Sequence, residues 1–385
     1  MPKTVSEPHY KKDIVGELKR FDEANHIYSR VDRGEVIPPE MIPNGDSSKS
    51  AVHRIFTYNP DRKNKRGYSR TDFALRWAGR TIDYTARKHL HMREIEPTPP
   101  PVEIDDPLRM TNLIKKTAKW FGADLVGIAP LDRTWVYSHW GDHSVKLGLG
   151  GKLGEPIELP KHYINVIVMA TEMDYDHTSR SPAMDASADL GYSLMGFVAP
   201  TLARFIQELG YHAMSSGNDT ALSVPMAIDA GLGELGRNGI LITPNYGPRV
   251  RLCKVFTDLP LVHDKPVDLG VQAFCEICEN CAKHCPGNAL KYGEKTAVEN
   301  SISNNVNILK WPIKAEKCIQ WWAKNRCHCS NCIRVCPFNK PDTRFHRMVR
   351  WHVNYLPKFN RFYKWMDDVS GYGKQVLGDP MDEFY

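Results

Sequence analysis

The sequence predicts an α/β protein that carries a cysteine-rich insert. Helical and strand-like apolar patterns alternate from about residue 106 to 265, and nine of the ten cysteines lie between 275 and 336. A chain of 385 residues with 42% hydrophobic content is also long enough to bury a sizeable core. These observations divide the chain into an N-terminal segment (1–105), an α/β core (106–269), the insert (270–345) and a C-terminal tail (346–385).

The N-terminal segment is polar and interrupted by prolines. Its stretches "RVDRGEVIPPEMIPNGDSS" and "EIEPTPPPVEIDDP" are typical of extended chain, so we expect this segment to wrap around the core. Its first thirty residues show neither an apolar signal core nor a paired-arginine export motif. The formal charge of +6 is mild, and apart from "DRKNKRGYSR" (61–70) the basic residues are scattered, so we expect no nucleic-acid partner.

The core elements follow in order from residue 106. "DPLRMTNLIKKTAKWFGA" has helical apolar spacing with an acidic start, and "DLVGIAP" after it is typical of a strand. "KHYINVIVMATEM" (161–173) predicts a second strand, and residues 183–210 predict a long amphipathic helix that ends at Gly210. "YHAMSS", "GILITP" and "RVRLCKVFTDLP" predict three further strands.

A glycine loop lies between these last strands. "AGLGELGRNG" (230–239) contains Gly231-x-Gly233-x-x-Gly236, the spacing of a dinucleotide-binding loop. Such a loop follows a strand, opens a helix and is followed about twenty residues later by an acidic residue. Here a strand follows the glycines and Arg251 occupies the later position, so we do not expect a nicotinamide or flavin site. The glycines still indicate a close backbone approach or positive φ angles.

The cysteines form two groups, each followed by proline. Cys275-x2-Cys278-x2-Cys281-x3-Cys285-Pro286 is the run with which bacterial ferredoxins hold a 4Fe-4S cluster, and its fourth cysteine serves a second cluster. The second group supplies Cys329-x2-Cys332-x3-Cys336-Pro337. The spacing predicts one cluster on Cys275, Cys278, Cys281 and Cys336, and another on Cys285, Cys329, Cys332 and one further cysteine.

The further ligand is either Cys318 or Cys327. We favour Cys318, because the one-residue gap between Cys327 and Cys329 points two adjacent side chains in different directions. Zinc knuckles and disulfides are disfavoured for the set, since zinc sites use two cysteine pairs and not a four-cysteine run that ends in proline. Cys253 lies in a predicted strand and is expected to be a core thiol.

Several of these motifs together resemble a known family. "GLGELGRNGILITPNYGPRVRLCKVFTDLP", the two cysteine groups and "WMDDVSGYGK" resemble the corrinoid- and iron-sulfur-dependent reductive dehalogenases, over about residues 15–375. The resemblance implies a nitroreductase-like corrinoid-binding core and an inserted ferredoxin-like domain with two 4Fe-4S clusters. It also implies reductive cleavage of a carbon-halogen bond of an organohalide such as a chlorinated hydrocarbon, at a base-off corrinoid. Corrinoid contacts are then expected from Gly231, Gly233, Gly236, Arg237, Asn238, Gly239 and Tyr246.

The resemblance also implies a catalytic set of Tyr192, Asn218 and Arg251. A phenol with a pKa of about 10 is a reluctant acid, and a fixed guanidinium nearby eases proton donation to a developing carbanion. Arg249 is the alternative arginine, two positions away on the same strand. Trp311, Trp321, Trp322 and Tyr246 are candidate aromatic residues of a pocket for an apolar substrate.

The family further implies an organohalide substrate, a respiratory electron donor, a small membrane-anchor protein and a homodimer. The expected location is peripheral, at the outer face of the cytoplasmic membrane. Two alternatives remain. Epoxyqueuosine reductase has a similar glycine loop and ferredoxin run, but no helical-repeat extension is expected after Cys336 and no basic stripe suits a tRNA. A plain iron-sulfur electron carrier would not need so long a chain before Cys275.

Overall fold

The computed structural model describes residues 2–44, 50–83, 97, 99–181, 184–297 and 301–374. The strands are β1 (Lys3–Thr4), β2 (Leu125–Pro130), β3 (Asn165–Glu172), β4 (Ala213–Ser216), β5 (Glu234–Leu235), β6 (Leu241–Ile242), β7 (Val250–Thr257) and β8 (Val267–Asp268). The helices are α1 (Ile27–Asp32), α2 (Ala51–Ile55), α3 (Arg70–Gly79), α4 (Pro107–Trp120), α5 (Asp142–Leu147), α6 (Tyr175–Thr178), α7 (Asp185–Glu208), α8 (Ser223–Asp229), α9 (Val271–Ile277), α10 (Asn280–Lys283), α11 (Ala315–Asn325), α12 (Asn331–Arg334), α13 (Arg344–Tyr355) and α14 (Asn360–Val369).

The centre of the fold is a four-stranded sheet in the order β2-β3-β7-β4. All three pairings are antiparallel, with Ile167 of β3 opposite both Ile128 of β2 and Val255 of β7. The β3 sequence is a continuous apolar run because the strand is buried on both faces. Val166, Val168 and Ala170 face one layer of the core, and Ile167 and Met169 face the other.

Helices cover one face of this sheet. The long helix α7 and the helix α4 pack against it through side chains such as Met195, Leu202 and Ile114. The sequence predicts α7 over residues 183–210, and the structure has it at Asp185–Glu208. A mixed α/β fold is therefore confirmed.

The chain around the glycine loop forms a separate small ribbon. β6 covers only two residues of the predicted strand "GILITP" and pairs with β5 outside the main sheet. The stretch before the loop is the helix α8. A helix before the glycines and a hairpin that contains Gly236 differ from the strand, loop and helix of a dinucleotide-binding unit, in agreement with the sequence-based exclusion.

The N-terminal segment contacts both the core and the cysteine-rich part of the chain. β1 pairs with β8, and Tyr10 joins the core layer that contains Trp135. Helix α3 packs on α7, while Ile55 belongs to a cluster with Ile319 of α11. Most of the described residues of the N-terminal segment therefore belong to the folded structure.

Helices α13 and α14 form the C-terminal part. Val353 of α13 and Tyr363 of α14 lie in an apolar cluster with Phe274 and Phe338, which flank the cysteines. The sequence predicts a tail that packs on the core, and the same cluster holds Ile242 and Val267 of the predicted core range beside residues of the cysteine-rich part. Within the described residues, no helix combines the length and the apolar character needed to cross a membrane.

Candidate active site

A large internal cavity lies between the N-terminal segment, the ends of β4 and β7, and helix α11. Its volume is about 620 Å³. Aromatic side chains supply much of its wall, and a few polar groups converge on it. The aromatic residues are Tyr10, Phe21, Tyr28, Phe56, Trp135, Tyr137, Tyr192, Trp311 and Trp322, and the polar ones include His53, Arg80, Asn218 and Arg251.

Tyr192 and Arg251 meet at one side of this cavity. The Arg251 guanidinium donates a 3.4 Å hydrogen bond to the Tyr192 hydroxyl, and its carbon lies 4.5 Å from the centroid of the tyrosine ring. Gly191 makes this approach possible, because a Cβ at this position would lie 2.7 Å from Cγ of Arg251. A glycine directly before the tyrosine is a signal in the sequence that our prediction did not use.

The other two polar candidates occupy different places. Asn218 is exposed to the cavity, but the structure shows no hydrogen bond between its side chain and the Tyr192 hydroxyl. Arg249 is held away from the cavity by Glu172 and by Asn339 Oδ1 at 3.3 Å. Arg251 is therefore the arginine that reaches Tyr192.

A second guanidinium, from Arg80 of the N-terminal segment, also lies over the tyrosine ring, with its carbon 5.1 Å from the ring centroid. Arg80 is buried and paired with Asp189 at 2.7 Å and Asp83 at 3.0 Å. These carboxylates offset its charge, whereas Arg251 has no ion-pair partner among the described residues. Sequence reasoning missed Arg80 because it treated residues 1–105 as extended chain, although the Ser69 capping box marks the start of α3.

Tyr28 is a second buried phenol near this pair. Burial raises its pKa well above the usual range, and the neighbouring Tyr192 raises it further while Arg251 lowers it. Tyr28 therefore stays protonated at neutral pH. It too belongs to the segment that carried no predicted site residue.

All ten cysteines are free thiols, and eight of them form two groups. One small enclosed space is bounded by Cys275, Cys278, Cys281 and Cys336. In the second group, Cys318 and Cys332 interact electrostatically with Cys285 and Cys329. The groups are adjacent, since Cys332 also interacts with Cys336.

Cys318 and Cys327 face different surroundings. Cys318 lies with the second group and also lines the large cavity. Cys327 instead contacts Asp185 and lies near Arg76. The structure thus brings Cys318, and not Cys327, to the other three cysteines of that group.

The glycine loop contacts mainly the protein's own backbone and the first cysteine group. A Cβ at Gly231 would lie 2.4 Å from the Lys265 carbonyl oxygen, and one at Gly233 would lie 2.2 Å from that of Ile242. Gly239 alone of the four glycines lines the large cavity. At Gly231 and Gly233 the closely approaching group is therefore the protein's own backbone. We expected a corrinoid at these two positions.

The polar residues of the loop lie beside the cysteines. Gly236, Arg237 and Asn238 border the space enclosed by the first cysteine group. Arg237 is buried and donates hydrogen bonds to the carbonyl oxygens of Cys275, Lys291 and Gly293.

Two of the four candidate aromatic residues line the large cavity, and the other two do not. Trp311 and Trp322 line the large cavity, and Trp311 also stacks under Arg237, with 4.5 Å between guanidinium carbon and ring centroid. Trp321 lies beside Cys329. Tyr246 lies outside the cavity lining and packs near Arg249, 5.7 Å from ring centroid to guanidinium carbon.

Comparison with proteins of known sequence decides the family. Over 97% of this chain and 77% of the relative, the sequence is 33% identical to the tetrachloroethene reductive dehalogenase of Sulfurospirillum multivorans. The chain belongs to the reductive dehalogenase family. It is also 38% identical to the tetrachloroethene reductive dehalogenase of Desulfitobacterium hafniense, over 70% of this chain and 55% of that protein. The chain thus spans about half the length of the first curated reductive dehalogenases that it matches.

The fold agrees with this membership. The catabolic reductive dehalogenase NpRdhA superposes with a TM-score of 0.73 at 23% identity, over 98% of this chain and 52% of that one. No protein-family model matches the sequence. An epoxyqueuosine reductase from Lactococcus garvieae is 28% identical over only 39% of this chain, so the match to the reductive dehalogenases is much more extensive.

Proposed function

We propose that this reductive dehalogenase replaces a halogen of a small organohalide, such as a chlorinated alkene, by hydrogen. The reaction consumes two electrons and one proton and releases a halide ion. One observation carries the proposal: a single cavity is lined by Tyr192 and Arg251 on one side and by Cys318 of the second cysteine group on another. A proton donor and an electron source therefore adjoin the same space.

The cysteine groups fit two 4Fe-4S clusters. Burial, with neighbouring cysteines adding to it, raises the pKa of both Cys318 and Cys329 to about 12. Four thiols packed in one group ionise together only when bound metal compensates their charge. We assign Cys275, Cys278, Cys281 and Cys336 to one cluster, and Cys285, Cys318, Cys329 and Cys332 to the other.

The large cavity fits a corrinoid, because it is wide, mostly apolar and adjacent to the second cysteine group. When bound, the corrinoid supplies low-potential cobalt chemistry at the carbon-halogen bond. Gly239 and Leu235 of the glycine hairpin border this cavity. We accordingly infer a nitroreductase-like core built on the β2-β3-β7-β4 sheet and a ferredoxin-like insert that contains α9, α10 and α12.

Within this site, Tyr192 holds the proton that replaces the halogen. The uncompensated Arg251 charge stabilises the phenolate that remains after transfer, which eases proton donation by the phenol. Arg80 also packs on the ring and fixes its position, because Arg80 is itself held by Asp189 and Asp83. Asn218 faces the same cavity, and the aromatic wall excludes water.

Anaerobic metal analysis combined with a turnover assay tests the proposal. Protein reconstituted with a cobamide is expected to hold about one cobalt and eight irons per chain. With a strong one-electron reductant it is expected to release chloride from tetrachloroethene or trichloroethene. Fully iron-loaded protein that takes up no cobamide, or that holds cobalt and releases no halide from any small organohalide, would contradict the proposal.

We also propose a peripheral location at the outer face of the cytoplasmic membrane, with a small membrane-anchor protein, a respiratory electron donor and a homodimer as partners. Exposed aromatic side chains on α13 and α14, including Trp351 and Trp365, support a docking surface there. Arginine and lysine residues on the same helices suit an anionic lipid surface.

Vesicle flotation tests this location. The variant with both Trp351→Ala and Trp365→Ala is expected to bind vesicles of anionic lipid less than the unmodified protein. Trp120→Ala, at an exposed tryptophan elsewhere, is the control. Equal flotation of all three proteins, or none by any, would contradict a lipid-facing role of α13 and α14.

A further inference from the structure

Three potential metal ligands converge where the N-terminal segment, the glycine loop and the start of the insert meet. His9 Nε2 lies 3.6 Å from Glu234 Oε1 and 3.6 Å from Asp268 Oδ1. All three ligand atoms lie within 4.8 Å of one another. The residues come from distant parts of the sequence, so their convergence is a product of the fold.

Glu234, inside the glycine loop, is the buried member of this triad. Its side chain is only 2% exposed. Oε2 accepts hydrogen bonds from the backbone amides of Leu269, just before α9, and Val271, the first residue of α9. Among the residues that the structure describes, Oε1 has no hydrogen-bond partner, and neither has His9 Nε2. A buried carboxylate oxygen and an imidazole nitrogen thus face each other at a distance too long for a hydrogen bond.

We propose that His9, Glu234 and Asp268 bind a divalent metal ion of the zinc type. Zinc takes imidazole nitrogen and carboxylate oxygen at about 2.0–2.2 Å, which places neighbouring ligands of a tetrahedral site roughly 3.4 Å apart. The two separations of 3.6 Å are close to this value. His9 and Asp268 are partly exposed, with 34% and 26% of their side chains accessible, so an ion can enter from solvent.

The site would fasten three parts of the chain together. β1 already pairs with β8 through the contact of Lys3 with Asp268, and His9 follows five residues after β1. Through Glu234, the ion is tied to the first turn of α9, which carries Cys275. A metal here would hold the N-terminal segment against the junction between the core and the first cysteine group. This role is structural and does not depend on the proposed dehalogenation.

The same geometry without metal would be an ion pair of protonated His9 with two carboxylates. Burial raises the pKa of Glu234, and Asp268 adds to this, so the site disfavours two uncompensated negative charges. A divalent cation offsets both charges, whereas one imidazolium offsets one. Metal binding and ion pairing therefore differ in what they predict for added zinc.

Zinc titration of the holoenzyme separates the two. Protein with its full iron content is treated with EDTA under anaerobic conditions and titrated with ZnCl₂ by calorimetry, and bound zinc is counted by mass spectrometry. One zinc per chain is expected, with affinity lower by roughly tenfold or more in His9→Gln and Asp268→Asn. Zinc is also expected to raise the Tm of the unmodified protein by several degrees, and not that of the variants.

A histidine-carboxylate pair that belongs to no three-ligand group among the described residues provides the matched control. His212 lies 2.8 Å from Asp258, with similar exposure, and His212→Gln is expected to keep the zinc site. The test uses His9→Gln and not Glu234→Gln, because substitution of the buried Glu234 can prevent folding, whereas His9 is partly exposed. Absence of a zinc site in the iron-loaded protein would overturn the proposal. A decrease in the Tm of the variants that is equal with and without zinc would also overturn it, because an ion pair alone gives this result.

Discussion

The guanidinium of Arg251 lies 4.5 Å from the ring centroid of Tyr192 and donates a hydrogen bond to its hydroxyl. Arg80 approaches the same ring but is neutralised by Asp189 and Asp83. Arg251 therefore shapes the electrostatics of the phenol, whereas Arg80 mainly fixes its position. Each of these two roles can be tested separately from cofactor loading.

Replacing Tyr192 by phenylalanine removes the proposed proton donor and leaves the ring in place. General-acid catalysis contributes roughly 10²–10⁴-fold, so kcat is expected to fall by that factor. Iron and cobalt contents should stay unchanged, because Tyr192 belongs to neither cysteine group. Halide release measured under anaerobic conditions gives the result.

Tyr211→Phe is the control for this substitution, because the Tyr211 hydroxyl donates a hydrogen bond to the carbonyl oxygen of Val102 at the surface, away from the cavity. Its turnover should equal that of the unmodified protein. Undiminished halide release by Tyr192→Phe would remove this tyrosine from the mechanism.

Gly191→Ala tests the position of Arg251 without changing any polar group. The new Cβ would lie 2.7 Å from Arg251 Cγ, so the arginine must move. Alanine also stabilises a helix interior by about 1 kcal/mol relative to glycine, which offsets part of this strain. We expect kcat to fall roughly tenfold or more with a small change in Tm. Leu190→Ala, at an exposed position of the same helix, should retain activity; equal activity of both variants would show that the arginine position is unimportant.

The eighth cluster ligand can be identified by comparing Cys318→Ala with Cys327→Ala. Cys318 lies with Cys285, Cys329 and Cys332, so its loss should remove or alter one cluster, up to about four irons per chain. Cys327 contacts Asp185 and should be replaceable without loss of iron. Iron analysis and the electron paramagnetic resonance of the reduced protein report the outcome. Iron loss confined to Cys327→Ala would reverse the assignment.

The cysteine spacing identifies the same two groups that the structure brings together, because the ligand spacing of a ferredoxin run is local in sequence. Apolar periodicity likewise predicts β3 and α7, since burial on a sheet or along a helix repeats regularly. The cluster and corrinoid roles of these residues stay predictions.

Long-range contacts could not be predicted in this way. Tyr28 and Arg80 reach the cavity from a segment without clear periodicity, so nothing in their local sequence indicates that they lie close to Tyr192. Glycine spacing similarly indicates a close approach without naming the partner, which proves to be the Lys265 carbonyl at Gly231. Glu234 shows the same limit, because its convergence with His9 depends on how distant segments fold together.

A pH-dependent stability is expected from Glu23, whose buried carboxyl lines the cavity. Burial raises its pKa from 4.5 to about 7, although hydrogen bonds from Ser144 and Gly141 lower it in part. A carboxyl with a raised folded-state pKa contributes stability that is complete below the unfolded pKa, and this contribution is lost as the pH rises through 7.

The Glu23→Gln variant keeps the shape and hydrogen-bonding capacity of the protonated carboxyl but cannot ionise. Relative to the unmodified protein, the variant should therefore gain stability between pH 5 and 8, by up to about 3 kcal/mol. Tm values of both proteins across this range, with the exposed Glu7→Gln as control, measure the effect, and a constant difference in Tm would show that Glu23 keeps an ordinary pKa.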